Sequence, residues 1–438
     1  LLRCGGDLRQ HDSGGPALTL VGRGCALPEG STGAIVRQTL SLPYEKERGI
    51  MGEATTGELI LVVNAGSSSV KCGLYATAGE RPTRVAGVHC DIQDDRMRIT
   101  TLIGDSERIE DLPRTAAASA DVPAGNVSPW HTAVAVVLDR AATLAGGRVA
   151  AVGHRVVHGG EFLARPVVVT PGVLEDLASL VPLAPLHQPQ NVAGIRAAAA
   201  ALPEAVQVAC FDTAFHHTCP PVATRLAIPR QWHEAGIRRY GFHGLSYESV
   251  VARLPEITGS MPARAVVAHL GAGASLCAIR DGVSIATTMG FTPLDGLVMA
   301  TRCGSIDPGA VLHLVLRVGL SAAAVETMLT RESGLLGVSG ISGDMRVLLE
   351  SADPRAEEAV ELFCERAARE TASLAAALGG LDAVVFTAGI GEHAPAIRER
   401  ICAKLRWLGL ELDPTANAVG GPRTSMAQSR IAVWVIPT

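Results

Sequence analysis

A strand, a turn of small residues and a second strand occur twice in this sequence, about 206 positions apart. The first copy spans residues 59–75 with the turn NAGSSS at 64–69, and the second spans 265–279 with the turn GAGAS at 271–275. Apolar runs bounded by glycine and serine predict strands, and small turn residues let the backbone approach a ligand closely. A unit repeated at half the chain length predicts two duplicated domains that face each other, with these turns lining the cleft.

A third segment, AVVFTAGIGE at 383–392, begins in the same way and then continues differently. Ile397, Ile401 and Leu405 follow it at helical spacing, which predicts a helix after the turn. Turns rich in glycine and serine present N–H groups and hydroxyls to anions. None of the three matches a P-loop or a strict GxGxxG pattern, and one alone would most often be an ordinary tight turn. Three in one chain, one of them beside Lys71, favour a site for nucleotide phosphates.

The composition restricts the partners of such a chain. Lys and Arg number 38 against 43 Asp and Glu, and charged residues make up only 18% of the 438 residues. We therefore expect no nucleic-acid partner, because proteins that bind nucleic acids usually carry a basic stripe. No apolar stretch has the length of a membrane span, so we expect no membrane partner. The ten cysteines are scattered without a Cys-x-x-Cys pair, which favours reduced thiols and a cytoplasmic location.

The two ends of the chain depart from this pattern. Residues 1–57 show neither an amphipathic period nor the apolar region of a signal peptide, and we expect them to be a disordered or non-native extension. At the other end the chain stops at Thr438, in the middle of a predicted strand and its exit turn at 433–438.

Several charged or polar residues lie where strands or glycine-rich turns end. Asp212 follows the predicted strand at 206–211, a common position for chemistry in α/β folds. Arg155 lies between apolar residues, so it is either a surface side chain or a cleft group that grips a carboxylate or a phosphate. His243 and Arg302 lie close to glycines, which allow the backbone to come near a ligand.

Other polar residues have a structural interpretation of equal weight. His154 and His158 have the spacing of metal ligands on a helix, but the valines around them indicate the end of a strand, so we reject a zinc site. His187 lies in a proline-rich loop and is either structural or a ligand-binding group. Asp344 follows Ser342 and Gly343, and it could cap a helix as easily as bind a ribose.

Six segments, in their order along the chain, closely resemble the acetate kinase family, a branch of the actin-like ATPase superfamily. They are VNAGSSSVK at 63–71, GHRVVHGG at 153–160, FDTAFH at 211–216, YGFHG at 240–244, MGFTPLDGL at 289–297 and TAGIGE at 387–392. The resemblance extends from about residue 59 to Thr438. It implies an α/β fold with two facing actin-like, ribonuclease H-like domains and a nucleotide cleft between them. We place these domains at 58–213 and 214–438, the second one truncated at its end.

The resemblance implies reversible, Mg²⁺-dependent phosphoryl transfer between ATP and acetate, giving acetyl phosphate and ADP, in a homodimer. Two alternatives stay open: a kinase for propionate or another short-chain acid, and a nucleotide-binding protein with weak turnover. Residues that match the family's catalytic positions are Asp212, His243 and Arg302. Residues that match its substrate-binding positions are Arg155, Val157, Leu186 and His187, with Val157 and Leu186 in the small pocket for the acyl methyl group.

The resemblance also implies a nucleotide site and a metal position. Matches to the ATP-binding segments are Lys71, His269, Leu270, Gly271, Ala272, Gly273, Asp344, Met345, Arg346, Gly389, Ile390, Gly391, Glu392 and His393. Asn64 matches a residue of the metal site.

The sequence differs from the family at particular positions. Ala272 and His393 replace the usual asparagines, Met345 replaces phenylalanine and Ser305 replaces aspartate. Family members also continue after Ile-Pro-Thr with Asn-Glu-Glu, which includes a metal-site glutamate, and with a final helix that crosses back to the first domain. We therefore expect weaker metal binding and weaker domain closure in this chain.

Overall fold

The computed structural model describes residues 58–66, 69–79, 82–93, 96–113, 128–147 and 149–438. The predicted extension at 1–57 lies outside the described residues. Within them, thirteen strands form two mixed sheets with helices packed against both, so the predicted α/β class is confirmed. None of the helices in these ranges combines the length and the apolar character needed to cross a lipid bilayer.

The first sheet comes from the first half of the described chain and has the order β5-β4-β3-β2-β1-β6-β8-β7. Strand β6 runs parallel to β1 on one side and to β8 on the other, and the remaining neighbours are antiparallel. The strands of this first sheet are β1 (Leu59–Ala65), β2 (Ser69–Ala76), β3 (Thr83–Ile92), β4 (Arg96–Ile103), β5 (Ser106–Pro113), β6 (Val149–Val156), β7 (Val167–Val168) and β8 (Val206–Phe211).

The second sheet has the order β11-β10-β9-β12-β13. Its strands are β9 (Arg264–Leu270), β10 (Ala274–Arg280), β11 (Val283–Thr287), β12 (Ala383–Thr387) and β13 (Ala432–Val435). This order and its strand directions repeat those of β3-β2-β1-β6-β8: two antiparallel pairs are followed by two parallel pairs. The repeat predicted from two hairpins therefore extends over five strands in each half.

Helices connect these strands. Those up to β9 are α1 (Pro129–Ala145), α2 (Pro171–Ser179), α3 (Gln188–Ala201), α4 (Pro221–Thr224), α5 (Arg230–Glu234) and α6 (Gly244–Thr258). Those that follow β11 are α7 (Pro308–His313), α8 (Ala322–Arg331), α9 (Gly334–Ser339), α10 (Met345–Glu350), α11 (Pro354–Leu378), α12 (Ala388–His393), α13 (Pro395–Lys404) and α14 (Pro414–Val419). The helix predicted from Ile397, Ile401 and Leu405 is confirmed as α13.

The longest helix, α11, shows why these residues become helical. Asp353 caps its N-terminus by accepting a hydrogen bond from the Arg355 N–H, and Pro354 occupies the first turn, where its missing N–H costs nothing. Val360, Phe363 and the other buried residues recur at intervals of three and four, so one face packs against β9 and β10. Gly379 ends the helix with a φ of 70°, a conformation that favours glycine.

A buried arginine holds the segment around α12. Arg398 on α13 is 1% exposed, and its guanidinium donates to the Asn417 side chain and carbonyl and to the carbonyls of Gly391 and Glu392. Burial lowers its pKa, so these acceptors are what make a buried cation tolerable. Arg398 therefore ties α12 to α13 and α14.

We expect Arg398→Met to lower the free energy of unfolding by about 3 kcal/mol, because it leaves several buried acceptors unpaired. The control is Arg400→Met on the same helix, since Arg400 makes a partly exposed ion pair with Glu357 and should contribute little. Urea unfolding of both variants measures the difference. Equal losses in the two variants would contradict this role for Arg398.

Candidate active site

The parallel strands β1, β6 and β8 are neighbours, so their carboxyl ends meet at one edge of the first sheet. Each of these ends carries one of the predicted residues: Asn64 in β1, Arg155 in β6, and Asp212 directly after β8. The Asp212 N–H donates to the Val156 carbonyl at 3.0 Å, which extends the β6–β8 ladder to the carboxylate.

One guanidinium joins these three residues. Arg155 Nε lies 3.1 Å from both carboxylate oxygens of Asp212, and Nη2 lies 2.5 Å from Oδ2. The third nitrogen of the Arg155 guanidinium, Nη1, donates to Asn64 Oδ1 at 3.1 Å. The Asp212 side chain is 3% exposed and that of Arg155 32% exposed, so the carboxylate is buried while the cation faces the cleft. The nearby negative charge raises the pKa of Arg155.

The segment 241–244 brings a histidine to the same place. Gly241 has a φ of 77°, and a Cβ there would collide with His216 and Thr287. Gly244 packs on the Asp212 carbonyl, and its N–H donates to that oxygen at 2.8 Å. His243, between these glycines, has a φ of 60°, a left-handed conformation that costs about 1–3 kcal/mol in a residue with a side chain. The surrounding contacts hold this strained residue at the start of α6.

Arg302 and His243 meet at the turn between β9 and β10. A Cβ built on Gly273 would lie 3.1 Å from Arg302 Nη2 and 3.3 Å from His243 Nε2, so both nitrogens border the space above this glycine. Arg302 Nη1 donates to the Pro293 carbonyl at 2.7 Å, which fixes the guanidinium. Burial and the nearby Arg155 lower the pKa of Arg302. The two arginines thus concentrate positive charge where an anion would bind.

Three histidines border these cations and stay neutral. Burial, together with His269, Arg155 and Arg302, lowers the pKa of His243 well below its ordinary value. Burial lowers the pKa of His187 and of His269 to about 4. The rings of His243 and His269 stack with centroids 4.1 Å apart, and such a pair would repel if both were charged. At neutral pH these rings can donate or accept hydrogen bonds but carry no charge.

We expect the free energy of unfolding to fall as the pH is lowered from about 6.5 towards about 4. Burial holds the pKa of His216 at about 4, as it does for His187 and His269, whereas a histidine in the unfolded chain titrates near about 6.5. Between these values the unfolded chain binds more protons, so the stability present above about pH 6.5 is lost as the pH falls. Urea midpoints at several pH values measure the slope, which His216→Asn should reduce. The same slope in that variant would contradict the contribution of His216.

The second sheet gathers three of the predicted nucleotide segments. His269 lies in β9 and is followed by Leu270 and the turn 271–273, and β12 runs parallel beside it and leads to Gly389–His393. The Ala300 N–H donates to the Ala272 carbonyl, and Gly343 packs on Ala300. This places Asp344, Met345 and Arg346 next to the turn. The structure therefore brings together segments that are far apart in sequence.

Within these segments, several side chains serve the fold. Asp344 Oδ1 accepts from the Arg346 N–H at 2.9 Å, so it caps α10, and its carboxylate also pairs with the exposed Arg346 guanidinium. Met345 is buried in the apolar core. Glu392 Oε1 accepts from the Ala388 N–H at 2.8 Å and from the Thr438 N–H at 3.2 Å, while His393 is exposed. Of these side chains, those of Arg346 and His393 are the most accessible to a ligand.

Lys71 lies apart from these segments in the first sheet. It is exposed on β2, and its backbone pairs with Asn64 across the first hairpin. Ser67 and Ser68 of the same turn lie outside the described residues. Lys71 therefore lies next to Asn64, at the border of the candidate active site.

The predicted acyl pocket lies beside Arg155. Val157 is 4% exposed and belongs to one apolar cluster with Ala184 and Phe242, the neighbour of His243. Leu186 and His187 lie at the start of α3 and are partly exposed. His187 makes no side-chain capping hydrogen bond there, and the positive charges of Arg302 and Arg155 add to burial in lowering its pKa.

The profile of the Acetokinase family matches residues 59–438.

The chain belongs to the acetokinase family.

Related proteins cover nearly the same length. The acetate kinase of Rhodopseudomonas palustris (strain TIE-1) is 51% identical over 386 residues, which are 87% of this chain and 95% of that protein. Among solved structures, a propionate kinase from Francisella tularensis subsp. tularensis SCHU S4 is 36% identical with a TM-score of 0.79 and covers 87% of this chain and 96% of its own. The acetate kinase of Porphyromonas gingivalis is 33% identical with a TM-score of 0.75 and the same coverage. The fold of two actin-like halves predicted for this acetokinase is thereby confirmed.

The acetokinase chain offers a limited set of ligands for Mg²⁺. Among the described residues, no three His, Cys, Asp or Glu side chains converge as metal ligands would. Two side chains with oxygen ligands, Asn64 and Asp212, accept hydrogen bonds from the same guanidinium, that of Arg155. Mg²⁺ usually keeps several waters and takes one or two protein oxygens in addition to substrate phosphates. The site therefore fits an ion carried by the nucleotide, and it does not fit a cage made of protein ligands alone.

Two kinds of residue in this acetokinase site were missed from the sequence. Asn191 on α3 accepts from the Val157 N–H at 2.9 Å and donates to the Ala65 carbonyl at 3.0 Å, so it ties the ends of β6 and β1 together. Ser275 and Tyr247 form hydrogen bonds behind His243. Ser275 closes the repeated turn at 271–275, but nothing in that turn indicates a bond to a histidine, and Asn191 and Tyr247 lie in segments without a distinctive motif.

Proposed function

We propose that this acetokinase transfers a phosphoryl group reversibly between ATP and acetate, giving acetyl phosphate and ADP. The observation that carries the proposal is the convergence of Arg155, Arg302 and neutral His243 beside the turn 271–273. Two guanidinium groups around one small space suit a carboxylate and a phosphoryl group that must be held together. The catalytic assignments to Asp212, His243 and Arg302 and the nucleotide assignments to the segments of the second sheet are part of this proposal.

Phosphoryl transfer to a carboxylate depends on the positioning of the reacting groups more than on a strong base. A carboxylate is already ionised at neutral pH, so no residue has to remove its proton before it attacks the γ-phosphorus of ATP. Asp212 is therefore not needed as a base. Its role is to orient Arg155, which binds the carboxylate of acetate or the phosphoryl group. The transferred group carries its charge on three equatorial oxygens, and Arg302 and His243 donate hydrogen bonds to them. The apolar cluster around Val157 takes the methyl group.

Asn64 and Asp212 are the residues that would hold Mg²⁺ in this proposal. The ion would neutralise charge on the nucleotide phosphates. Arg155 donates hydrogen bonds to both side chains, so it holds them in place relative to each other.

The proposal is tested by trapping the acyl phosphate with hydroxylamine. We expect ATP and acetate to give acetyl hydroxamate only when the enzyme and Mg²⁺ are both present, and Asp212→Asn to lower the rate strongly. A folded protein that binds ATP and forms no hydroxamate with any short-chain acid would contradict the kinase activity and support the nucleotide-binding alternative.

A second candidate, propionate as the preferred substrate, is favoured by the structural similarity to a propionate kinase. One methylene in an apolar pocket changes discrimination by only about 1–3 kcal/mol, so both acids should react. The values of kcat/KM for acetate and propionate, measured in the same assay, decide between them. A higher value for propionate would replace acetate in the proposal.

The proposal includes a homodimer in the cytoplasm. Exposed apolar side chains lie along the helical segment 308–318, with Leu312 57% and Leu316 68% exposed, and such a patch is typical of a protein interface. The eight described cysteines are free thiols, as expected in a reducing compartment. Light scattering coupled to gel filtration should give twice the chain mass, and Leu316→Asp should shift it towards the monomer. An unchanged mass would move the interface elsewhere.

A further inference from the structure

Two buried hydroxyl groups form a chain behind His243. Ser275 lies in β10 and Tyr247 in α6, and both are fully buried. Ser275 Oγ lies 2.8 Å from His243 Nδ1 and 2.5 Å from the Tyr247 hydroxyl. The hydrogen bonds therefore run from Tyr247 through Ser275 to His243 Nδ1. The other nitrogen of the imidazole, Nε2, borders the space above Gly273.

Only one arrangement of protons gives both buried hydroxyl groups, Tyr247 and Ser275, an acceptor for their protons. Burial raises the pKa of Tyr247 well above its ordinary value, so the phenol keeps its proton. Among the described residues, Ser275 Oγ is the only hydrogen-bond partner of the Tyr247 hydroxyl, so Tyr247 donates to Ser275. Ser275 then has its own proton free to donate to His243 Nδ1.

The opposite arrangement leaves a buried donor without an acceptor. If His243 Nδ1 carried the proton, it would donate to Ser275 Oγ. Either Ser275 would then donate to Tyr247 and leave the phenol proton without an acceptor, or Tyr247 would also donate to Ser275 and leave the serine proton without one. An unpaired buried donor disfavours that arrangement by roughly tenfold or more. The neutral ring therefore carries its proton on Nε2.

Nε2 faces the place where charge develops during phosphoryl transfer. It lies beside Arg302 Nη2 at the space above Gly273, and a proton there makes the ring a donor towards an oxygen of the transferred group. With the other tautomer, Nε2 would present a lone pair to an anionic oxygen, and the interaction would be repulsive.

We propose that Ser275 and Tyr247 are positioning residues that fix the Nε2–H tautomer of His243, so that the ring donates a hydrogen bond to the phosphoryl group in flight. The proposal rests on the kinase activity proposed above and deepens it. Ser275 and Tyr247 touch no substrate in this arrangement and act only through the imidazole.

The kinetic test compares Ser275→Ala and Tyr247→Phe with the wild-type enzyme. We expect Ser275→Ala to lower kcat by roughly 10- to 100-fold, with KM for acetate and ATP changed by less than about threefold, because the lost interaction forms in the transition state. Tyr247→Phe keeps the aromatic ring and leaves the Ser275 hydroxyl in place, but that hydroxyl is then free to rotate. We therefore expect a smaller loss of kcat, roughly threefold to tenfold.

The matched control is Ser284→Ala. Ser284 is also fully buried and its hydroxyl lies 2.9 Å from Nδ1 of a buried histidine, His216, which is not part of the proposed catalytic group. We expect this variant to lose stability while its kcat stays within about twofold of the wild type. A folded Ser275→Ala enzyme with wild-type kcat, or an equal loss of kcat in Ser284→Ala, would overturn the proposal.

A spectroscopic measurement separates this proposal from the activity itself. In protein labelled with ¹⁵N-histidine, long-range proton–nitrogen spectra distinguish the two neutral tautomers, and His243→Gln assigns the signal. We expect Nε2–H in the wild type and a mixture in Ser275→Ala. The Nδ1–H form in the wild type would overturn the proposal even if the enzyme is active. A wild-type protein with the Nε2–H form and no hydroxamate would leave the tautomer established and refute the kinase activity.

Discussion

Replacing Arg302 with alanine is expected to lower kcat for acetyl phosphate formation by about a thousandfold. Its guanidinium is fixed by the Pro293 carbonyl and lies beside His243 Nε2 at the space above Gly273. Removing one prearranged donor at a developing charge typically costs about 10²–10³ in rate, and arginines that neutralise a phosphoryl group in flight contribute about 10³–10⁵. The hydroxamate assay measures the loss, and circular dichroism confirms that the variant is folded.

Two further variants sharpen the test at Arg302. Arg302→Lys keeps a charge but loses the planar fork, so we expect only part of the activity to return. Arg406→Ala removes an exposed arginine from the short helical turn Arg406–Leu408 and should leave kcat unchanged. A rate within about fivefold of the wild type in Arg302→Ala would remove this residue from the proposed catalytic group.

The second large effect concerns stability. We expect Arg155→Ala to lower the free energy of unfolding by about 3–5 kcal/mol, because it leaves the buried Asp212 carboxylate without its partner. The double variant Arg155→Ala/Asp212→Asn removes both charges and should be more stable than Arg155→Ala alone. Urea unfolding of the wild type, the two single variants and the double variant gives the coupling energy.

A surface ion pair provides the comparison. Arg264 and Asp382 form a bidentate pair with the same chemistry, but both side chains are more than one-third exposed. Their coupling energy should be clearly smaller, because water screens the interaction. If the two pairs showed equal coupling, burial of Asp212 would not be the reason for the large loss. Activity is expected to fall in both Arg155 variants, since neither keeps the guanidinium that we propose holds the substrate.

The sequence was most informative where small residues recur. Repeated turns predicted two related halves, and the structure extends this relation to five strands in each sheet. The positions of Arg155 and Asp212 at strand ends also followed from pattern, because the ends of neighbouring parallel strands must meet at one edge. What the pattern left open was whether Arg155 faces solvent or the cleft, and its bonds to Asp212 and Asn64 resolve that alternative.

Other features depend on packing that no local pattern reveals. Strands β3, β4 and β5 form a meander in a stretch of mixed polarity, and their pairing comes from the neighbouring strand more than from their own residues. Ser275 and Tyr247 become important only because a left-handed backbone at His243 turns its ring towards them. Asp344 shows the reverse case, since the structure uses it as the cap of α10 and its interaction with a nucleotide stays a prediction.

The bond between Arg155 and Asp212 also bears on how tightly a small acid can bind. Asp212 is itself a carboxylate, attached to the protein and already hydrogen-bonded to the guanidinium that we propose binds the substrate. Because this carboxylate is tethered at high effective concentration, an incoming acid has to share the cation with it. In the proposed reaction this sharing would weaken retention of the acid and favour its exchange with solvent.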